Sequence, residues 1–244
     1  MKKVICILII LSLNLVQSQI TTSLTVTESP TFEDEIYTDN TLAIHNTSNG
    51  LLGMIRSYKN KYLLTAFDKQ LNKKFSKIIE IDKDESFESY VGYGDEIKYI
   101  TVLAPSKGER TFYCGTYNIE KETHSKKELF KADAETGGLL TGRNKRGTNI
   151  AISPNRKYIA IATDNIKKNL NSYKIHVFDT DSMHLVFEKS YQEDVDNYFE
   201  PNDLFVDDDA NVYALGKLFI SGKSEKKGGD ANYDFVLNKI SKED

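Results

Sequence analysis

The 244-residue sequence contains no tryptophan and only 4 prolines and 14 glycines. So few prolines and glycines exclude a Pro-rich or Gly-rich linker, which leaves no compositional sign of a flexible connection between domains. Hydrophobic residues make up 39% and charged residues 28%, a globular balance rather than a disordered one. This length suits one or two domains.

The sequence also lacks a block of basic residues. The formal net charge is −4, and removal of Lys2 and Lys3 with an N-terminal leader leaves 30 basic against 36 acidic residues, a net charge of −6. A mildly acidic chain without a basic patch has no electrostatic footprint for nucleic acid, and it is a poor binder of anionic lipid. We therefore expect no nucleic-acid partner.

The one sustained apolar run lies at the N-terminus. Lys2 and Lys3 precede the apolar stretch from Val4 to Leu15, and Val16 and Ser18 fit the −3 and −1 positions of a cleavage site. This layout predicts a signal peptide over residues 1–18, a mature domain over 19–244, and a secreted or periplasmic protein that does not insert into the membrane after cleavage. An N-terminal membrane anchor is the alternative, although the run is short for a membrane span.

Only one of the two cysteines, Cys114, lies outside this leader, so the mature chain has no intrachain disulfide. Cys114 lies within a strand-like segment, residues 111–117, and no partner base is evident from the sequence. The pattern predicts a small buried hydrophobic residue rather than a nucleophile.

Long amphipathic helices are absent from the sequence pattern. The best helical candidate, Ser125 to Ala134, is short and lacks clean periodicity. Short runs rich in Tyr, Phe, Ile, Val and Thr, broken by Asn, Asp, Gly and Lys, instead predict an all-β protein. In one of them Tyr173, Ile175 and Val177 alternate with Lys174 and His176, the period of a half-buried strand.

The strand runs recur in a similar order. One unit comprises Thr41 to Ile44, Leu52 to Tyr58, Tyr62 to Asp68 and Phe75 to Ile81; another comprises Asn149 to Ser153, Tyr158 to Thr163, Tyr173 to Asp179 and Leu185 to Tyr191. In both units the third run ends in Phe-Asp. A less regular unit covers Glu96 to Phe130, and a last one begins at Asn202 and ends after Phe235 to Ile240. Four antiparallel strands per repeat predict propeller-like blades.

Two turns carry a resemblance to known families. Residues 150–160, IAISPNRKYIA, resemble the SPDGKYIA hairpin of WD-repeat and periplasmic β-propellers, with Asn155-Arg156 in place of Asp-Gly. Residues 207–213, DDDANVY, resemble the DDxGNVY turn of such repeats, with Ala210 where glycine is usual. Residues 67–72, 211–217 and 231–233 also resemble segments of uncharacterised secreted propeller-like proteins of the Bacteroidetes. The resemblance implies a fold and carries no active-site residues.

No catalytic or phosphate-binding motif occurs: the sequence has neither a G-x-S-x-G elbow nor a Walker loop. Asp207, Asp209 and Asn211 have the alternate spacing that begins a calcium loop. Val212 and Leu218 occupy the places of its glycine and bidentate glutamate, so the spacing favours an Asx turn without a metal.

The other polar candidates do not form a recognisable site. His45, His124, His176 and His184 lack zinc-ligand spacing. His176 and His184 flank a predicted turn, where we expect a solvent-facing pair. We interpret the acidic clusters as solvated loops: Glu33 to Glu35, Asp82 to Glu85 and Glu193 to Asp196. The sequence thus predicts no catalytic, cofactor-binding or metal-binding residue and no cofactor.

Aromatic residues make up 11% of the chain, and most are expected to fill the space between blades. The exception is the segment Tyr90-Val91-Gly92-Tyr93-Gly94, which we interpret as a flexible contact loop. The leading hypothesis is an extracytoplasmic, non-catalytic binding or scaffold module for a protein, peptide or glycan. The alternative is a propeller-fold glycan-processing hydrolase or lyase, because one scaffold hosts both kinds of function.

The last unit ends after its third strand, which predicts an incomplete array. We expect the natural polypeptide to continue with further blades. The alternative is a four-bladed ring that is closed when Ile20 to Val26 pairs with the open edge at Phe235 to Ile240.

Overall fold

The computed structural model describes residues 26–105, 109–132, 148–167, 170–191, 199–222 and 224–243. The predicted signal peptide at residues 1–18, the Ile20 to Val26 pairing and the acidic cluster at 193–196 lie wholly or almost wholly outside these ranges. Contacts divide the chain into Met1–Pro30 and Thr31–Asp244. The described residues of the first unit, 26–30, form neither helix nor strand, and the second unit contains every strand.

Three four-stranded antiparallel sheets and one three-stranded sheet follow each other along the chain. The first sheet contains β1 (Asn40–Asn46), β2 (Leu52–Tyr58), β3 (Lys61–Phe67) and β4 (Lys73–Glu80). The second contains β5 (Glu85–Tyr93), β6 (Glu96–Leu103), β7 (Arg110–Asn118) and β8 (Thr123–Ala132). The third contains β9 (Thr148–Ile152), β10 (Tyr158–Lys167), β11 (Leu170–Asp179) and β12 (Leu185–Tyr191).

Among the described residues the fourth sheet has three strands, β13 (Phe199–Val206), β14 (Val212–Phe219) and β17 (Tyr233–Ile240). The short hairpin of β15 (Lys226–Lys227) and β16 (Asp230–Ala231) lies between β14 and β17 in the chain. The described part of the last unit therefore has three strands, in the order that the sequence predicts. That the array continues beyond Asp244 stays a prediction.

The described ranges contain no helix, and therefore none that could cross a membrane. In the weak helical candidate Ser125 to Ala134, residues 125–132 belong to β8, and residues 133 and 134 lie outside the described ranges. Its Lys126, Lys127 and Lys131 lie on a strand at the outer edge of the second sheet, where lysine is a common protection against edge pairing. The requirements of an edge strand therefore explain the residue pattern better than a helical period does.

The recurring Phe-Asp pattern marks the turn between the third and fourth strands. Asp68 Oδ1 accepts hydrogen bonds from the backbone N–H groups of Gln70 (2.9 Å) and Asn72 (2.8 Å). Asp179 Oδ1 likewise accepts from Ser182 N–H (2.9 Å) and Ser182 Oγ (2.7 Å). The Asn72 side chain, followed by these backbone N–H groups, lowers the pKa of Asp68, and the hydrogen bonds from Ser182 lower that of Asp179. The backbone hydrogen bonds define Asx turns, which is why an aspartate follows the last aromatic residue of β3 and of β11.

Three apolar clusters join the sheets in sequence order. Ile55 and Leu64 of the first sheet pack with Tyr99 and Tyr117 of the second. Phe112 and Cys114 of the second sheet belong to one cluster with Ile161 and Phe178 of the third. Val177 of the third belongs to another with Val206, Val212 and Ala214 of the fourth. None of these clusters, drawn from the described residues, joins the fourth sheet to the first.

The first strands of the sheets lie along the inner side of the array, where β1 contacts β5, β5 contacts β9 and β9 contacts β13. This arrangement, with meandering blades stacked face to face, confirms the all-β, propeller-like class. It also gathers residues from three different blades at one place, where the candidate site lies.

Candidate functional site

A cleft of about 500 Å³ lies beside the inner strands of the first three sheets. Its size is that of a small-molecule or peptide-side-chain pocket. The residues that line it come from β1, β2, β5, β9 and the turn after β9; they are Ile44, His45, Asn46, Leu52, Tyr90, Val91, Gly92, Ile152 and Arg156. No single repeat contains this set, so the cleft is a product of blade packing.

The His45 ring is held against the backbone of β5. Its Nε2 lies 2.8 Å from Gly94 O, which requires that Nε2 carry the proton and donate. A Cβ built on Gly92 would lie 2.1 Å from His45 Nδ1, far inside contact distance. Gly92 is therefore needed for the ring to approach the strand, and the first two blades are joined at the cleft.

Arg156 reaches the same strand from the third blade. Its Nη1 donates to Gly92 O at 3.3 Å, and no ion pair joins its exposed side chain to an acid among the described residues. The backbone of Arg156 has φ 62°, in the left-handed region where glycine costs least. Residues with this kind of backbone strain are concentrated at functional sites.

The remaining walls of the cleft are apolar or aromatic. Ile44 and Tyr90 are both partly exposed, and Leu52, Val91 and Ile152 continue the apolar surface. Arg156 is the one charged residue of the lining, and the lining contains no aspartate or glutamate within the described part of the chain. Such a surface suits a ligand that joins an apolar group to a carboxylate, because guanidinium and carboxylate form parallel, charge-assisted hydrogen bonds.

The contact segment at Tyr90 to Gly94 was predicted as a loop, and this was wrong. Residues 85–93 form β5, with a register shift between Phe87 and Ser89 where it pairs with β6. The two tyrosines alternate across the strand rather than lie on a flexible loop. Tyr90 and Gly92 nevertheless line the cleft.

The prediction that His176 and His184 both face solvent is wrong for His176. His184 is exposed, but His176 is buried and stacks on Phe130 at 3.7 Å between ring centroids. Burial, aided by Lys174 and opposed by Glu188, lowers the pKa of His176 to about 4. His124 Nε2 lies 2.7 Å from Tyr99 Oη, and burial lowers its pKa as well, with Lys77 and Lys126 adding to the effect.

The turn at Asp207 is an Asx turn with a full set of partners. Asp207 Oδ1 accepts from the N–H groups of Asp209 (3.0 Å) and Asn211 (2.8 Å), and Oδ2 accepts from Asn211 Nδ2 (2.9 Å) and Tyr213 Oη (3.2 Å). Ala210 takes φ 65° at the position where glycine is usual. Across the described residues, no three side chains of His, Cys, Asp or Glu form a group that could hold a metal ion.

Cys114 is buried on β7, as predicted, and burial raises the pKa of its thiol. A high thiol pKa disfavours the thiolate, which is the reactive form.

Two acidic clusters are more than solvated loops. Asp34 and Glu35 pair with Arg56 and Lys73 of the first sheet. Glu85 begins β5 with a buried side chain, whose Oε2 lies 2.6 Å from Lys126 Nζ. The partners are distant in sequence, 22 positions for Asp34 and Arg56 and 41 for Glu85 and Lys126, so the sequence pattern does not reveal these ion pairs.

No protein-family model matches the chain, and no curated protein sequence matches it. Among solved structures, the chain is similar to a prolyl endopeptidase (12% identity, TM-score 0.39, covering 82% of this chain and 29% of that one). It is also similar to Pyrococcus horikoshii acylaminoacyl peptidase (10% identity, TM-score 0.39, 82% and 32%). A third is the Nup133 β-propeller domain of Vanderwaltozyma polyspora (9% identity, TM-score 0.34, 82% and 56%).

The chain thus spans less than two thirds of each of these three structures. The similarities are too weak to carry an argument about activity. The sheet topology places the chain in the class of all-β, propeller-like blade arrays.

Proposed function

We propose that this chain is an extracytoplasmic, non-catalytic binding module whose ligand is a peptide segment of another protein. The observation that carries the proposal is the guanidinium of Arg156, which lies without an acidic partner among the described residues at the edge of an apolar cleft. The ligand would present a carboxylate to Arg156 and an aliphatic side chain to Ile44, Leu52 and Ile152.

The composition of the cleft wall favours a peptide over a glycan. The cleft walls are mainly aliphatic, whereas a sugar ring is usually stacked on an aromatic face, and here Tyr90 is the one aromatic side chain of the lining. The hydrolase or lyase alternative has no comparable support, because the described lining offers one histidine and no carboxylate as a proton donor or acceptor.

Location outside the cytoplasm is the second part of the proposal, and it is supported by the N-terminal pattern of two lysines, an apolar run and small residues. Mass spectrometry of the protein from its native host tests it directly. A mature mass that begins at Gln19 or Ile20 supports export, and a mass that retains Val4 to Leu15 contradicts it.

Binding is tested with synthetic peptides that place Ile or Leu next to Glu, Asp or a free C-terminal carboxylate, each matched with its Gln, Asn or C-terminal amide version. Arg156→Gln should weaken binding of the carboxylate peptides by roughly 10- to 100-fold, the range of a charge-assisted hydrogen bond. Lys157→Gln, a neighbouring exposed charge outside the cleft, is the matched control and should leave affinity unchanged. Equal binding of carboxylate and amide peptides, or an unaffected Arg156→Gln protein, would contradict the proposal.

A further inference from the structure

The turn that carries Arg156 is held by the fourth sheet, although none of the described residues of that sheet lines the cleft. Asp208, in the turn between β13 and β14, accepts a hydrogen bond through Oδ1 from the backbone N–H of Asn155 at 2.9 Å. Asn155 directly precedes Arg156 in the turn between β9 and β10. This contact therefore joins the third and fourth sheets at the residue next to the charged side chain of the cleft.

Arg156 needs such support because its backbone is strained. Its φ of 62° lies in the left-handed region, which a residue with a side chain occupies at an energetic cost. Strain of this kind persists only where the surrounding structure fixes the residue from several sides. Arg156 N–H donates to Ser153 O at 2.8 Å, and Lys157 N–H donates to Asn155 Oδ1 at 2.8 Å. These hydrogen bonds close the turn from within, whereas Asp208 holds it from outside.

Asp208 is well placed to hold a neighbouring turn because its own turn is fixed by hydrogen bonds on both sides of it. Asp207 N–H donates to Asn211 O at 2.9 Å, and Asp209 N–H donates to Asp207 Oδ1 at 3.0 Å. The strands that lead into the two turns, β13 and β9, also contact each other. A carboxylate that accepts from an N–H group forms a charge-assisted hydrogen bond, which is stronger than one between neutral groups. The position of the fourth sheet is thus transmitted to the turn of the third.

The guanidinium end of Arg156 has weaker support than its backbone. Nη1 donates to Gly92 O at 3.3 Å, at the long end of the range for such bonds, and the side chain is exposed. The direction in which the side chain leaves the third sheet therefore depends on the backbone of residues 155–157. A displacement of this turn moves the guanidinium away from Gly92 and from the cleft.

We propose that Asp208 is a positioning residue for Arg156, through which the fourth sheet controls the affinity of a cleft that it does not line. This role rests on the proposed function, because Arg156 is the group that binds the ligand carboxylate there. The coupling acts in both directions. Contact between the two turns strengthens ligand binding, and a bound carboxylate stabilises the contact between the two turns by the same factor.

The test compares two substitutions of Asp208 for which a purely electrostatic role predicts the opposite sign. A carboxylate near Arg156 repels an anionic ligand, so charge alone predicts that Asp208→Ala binds the carboxylate peptides more tightly. Positioning predicts that Asp208→Ala weakens their binding by roughly 3- to 10-fold, because the Asn155 N–H loses its acceptor. Asp208→Asn keeps an oxygen acceptor without the charge and should not weaken binding by more than about twofold.

Two controls separate positioning from a general effect on the fold. Asp209→Ala removes the neighbouring exposed acid of the same turn and should not weaken binding, since Asp208 supplies the acceptor for Asn155. In an Arg156→Gln background, Asp208→Ala should have no further effect, because Asp208 acts through Arg156. The amide peptides, which lack the carboxylate, should bind Asp208→Ala and the original chain equally.

Hydrogen exchange at the Asn155 amide, measured by NMR without a ligand, gives a second readout. It should be faster in Asp208→Ala and unchanged in Asp209→Ala. Three results would overturn the proposal: Asp208→Ala binds the carboxylate peptides as tightly as the original chain, Asp208→Asn loses as much affinity as Asp208→Ala, or exchange at Asn155 is the same in Asp208→Ala. If the original chain does not distinguish carboxylate from amide peptides, the proposed function fails, and exchange at Asn155 still decides whether Asp208 holds the turn.

Discussion

The outward faces of the first and fourth sheets, at the two ends of the described blade array, carry different kinds of side chain. Each end sheet has an outward face on which no other sheet of the described residues packs. At the first sheet, residues 31–39 cover this face: Phe32 packs on Phe67 with ring centroids 5.1 Å apart, and Tyr37 packs edge-on against Tyr58 at 5.2 Å. At the fourth sheet, Phe235 and Leu237 on the equivalent face are 63% and 64% exposed.

Ion pairs as well as aromatic contacts hold residues 31–39 on the first sheet. Asp34 forms two hydrogen bonds with Arg56, whose Nη2 lies 2.8 Å from Oδ1 and 3.1 Å from Thr65 Oγ1. Glu35 accepts from Ser76 Oγ at 2.6 Å and from Lys73 Nζ at 3.1 Å. The Ser76 hydrogen bond, with Lys73 beside it, lowers the pKa of Glu35 despite some desolvation. Arg56, on the outward face of the first sheet, thus has Asp34 of this segment as its ion-pair partner and also donates to Thr65 on the neighbouring strand.

Residues 31–39, nine residues of irregular chain, thus supply partners for polar and aromatic side chains on the outward face of the first sheet. The outward face of the fourth sheet carries apolar side chains instead. Phe235 and Leu237 lie there, whereas the first sheet carries Arg56 and Thr65.

The largest loss of stability should come from removing the ion pair that holds residues 31–39 on the first sheet. Asp34→Ala leaves the guanidinium of Arg56, whose side chain is only 11% exposed, without its carboxylate. We expect a loss of about 3 kcal/mol in the free energy of unfolding, measured by urea denaturation. At the other end, Phe235→Ala should change the stability of the monomer by less than about 0.5 kcal/mol, since the ring is mostly exposed.

Glu33→Ala is the control for the cover, because Glu33 is exposed and contributes its backbone oxygen rather than its carboxylate to Lys73. Equal losses for Asp34→Ala and Phe235→Ala would show that the two ends do not differ as described.

Acid should weaken the interior of the array rather than its ends. Neutral His176 is favoured in the fold, where its pKa of about 4 lies below its ordinary value of 6.5. Its contribution is complete above pH 6.5 and is lost as the pH falls toward 4, because the unfolded chain binds the proton more readily. Between pH 7.5 and 5 the loss should be about 2 kcal/mol.

His176→Phe keeps the stack with Phe130 and removes the titrating group, so the stability of this variant should fall less over the same pH range. Denaturation midpoints measured at several pH values test this. His184→Gln, at an exposed histidine, should keep the slope of the original chain, and an unchanged slope in His176→Phe would rule out the assignment.

A smaller effect of opposite sign is expected at the cleft. Arg156→Gly relieves the left-handed backbone at φ 62° and should raise the stability by up to about 1 kcal/mol while peptide binding is lost. Lys157→Gly, beside it but without a positive φ, should lower the stability. Thermal unfolding and peptide titration of the two variants separate strain from function, and a destabilised Arg156→Gly protein would contradict the strain argument.

The smallest effect is expected from calcium. Asp207 already accepts four hydrogen bonds within its turn, and Val212 and Leu218 supply no ligand oxygen from their side chains. Thermal melts in calcium and in chelator should therefore overlap. Stabilisation by more than about 1.5 kcal/mol at saturating calcium would show that the turn is a metal site.

Local patterns predicted the blades well and the site poorly. Phe-Asp at residues 67–68 and 178–179, together with the strand alternation around Ile175, predicted two complete blades because each signal depends on near neighbours in sequence. β5 was missed: Gly92 and Gly94, with the acidic residues before Phe87, resemble a loop, whereas Gly92 is required by the His45 ring of another blade.

The ends and the cleft depend on contacts that the sequence does not encode locally. Asp34 and Arg56 are 22 positions apart, and Gly92 and Arg156 are 64 apart. Burial of His176 depends on Phe130 from the preceding sheet. A sequence signal did exist at Arg156, which replaces the glycine of the hairpin that residues 150–160 resemble, and the structure shows a positive φ there.

Amide hydrogen exchange tests the contrast between the two end sheets most directly. Backbone N–H groups of β17 should exchange faster than those of β4, the outermost strand of the first sheet, where Lys73 and Ser76 bind Glu35. Equal protection of the two strands would contradict the account of one end sheet that is covered by residues 31–39 and one that carries exposed Phe235 and Leu237.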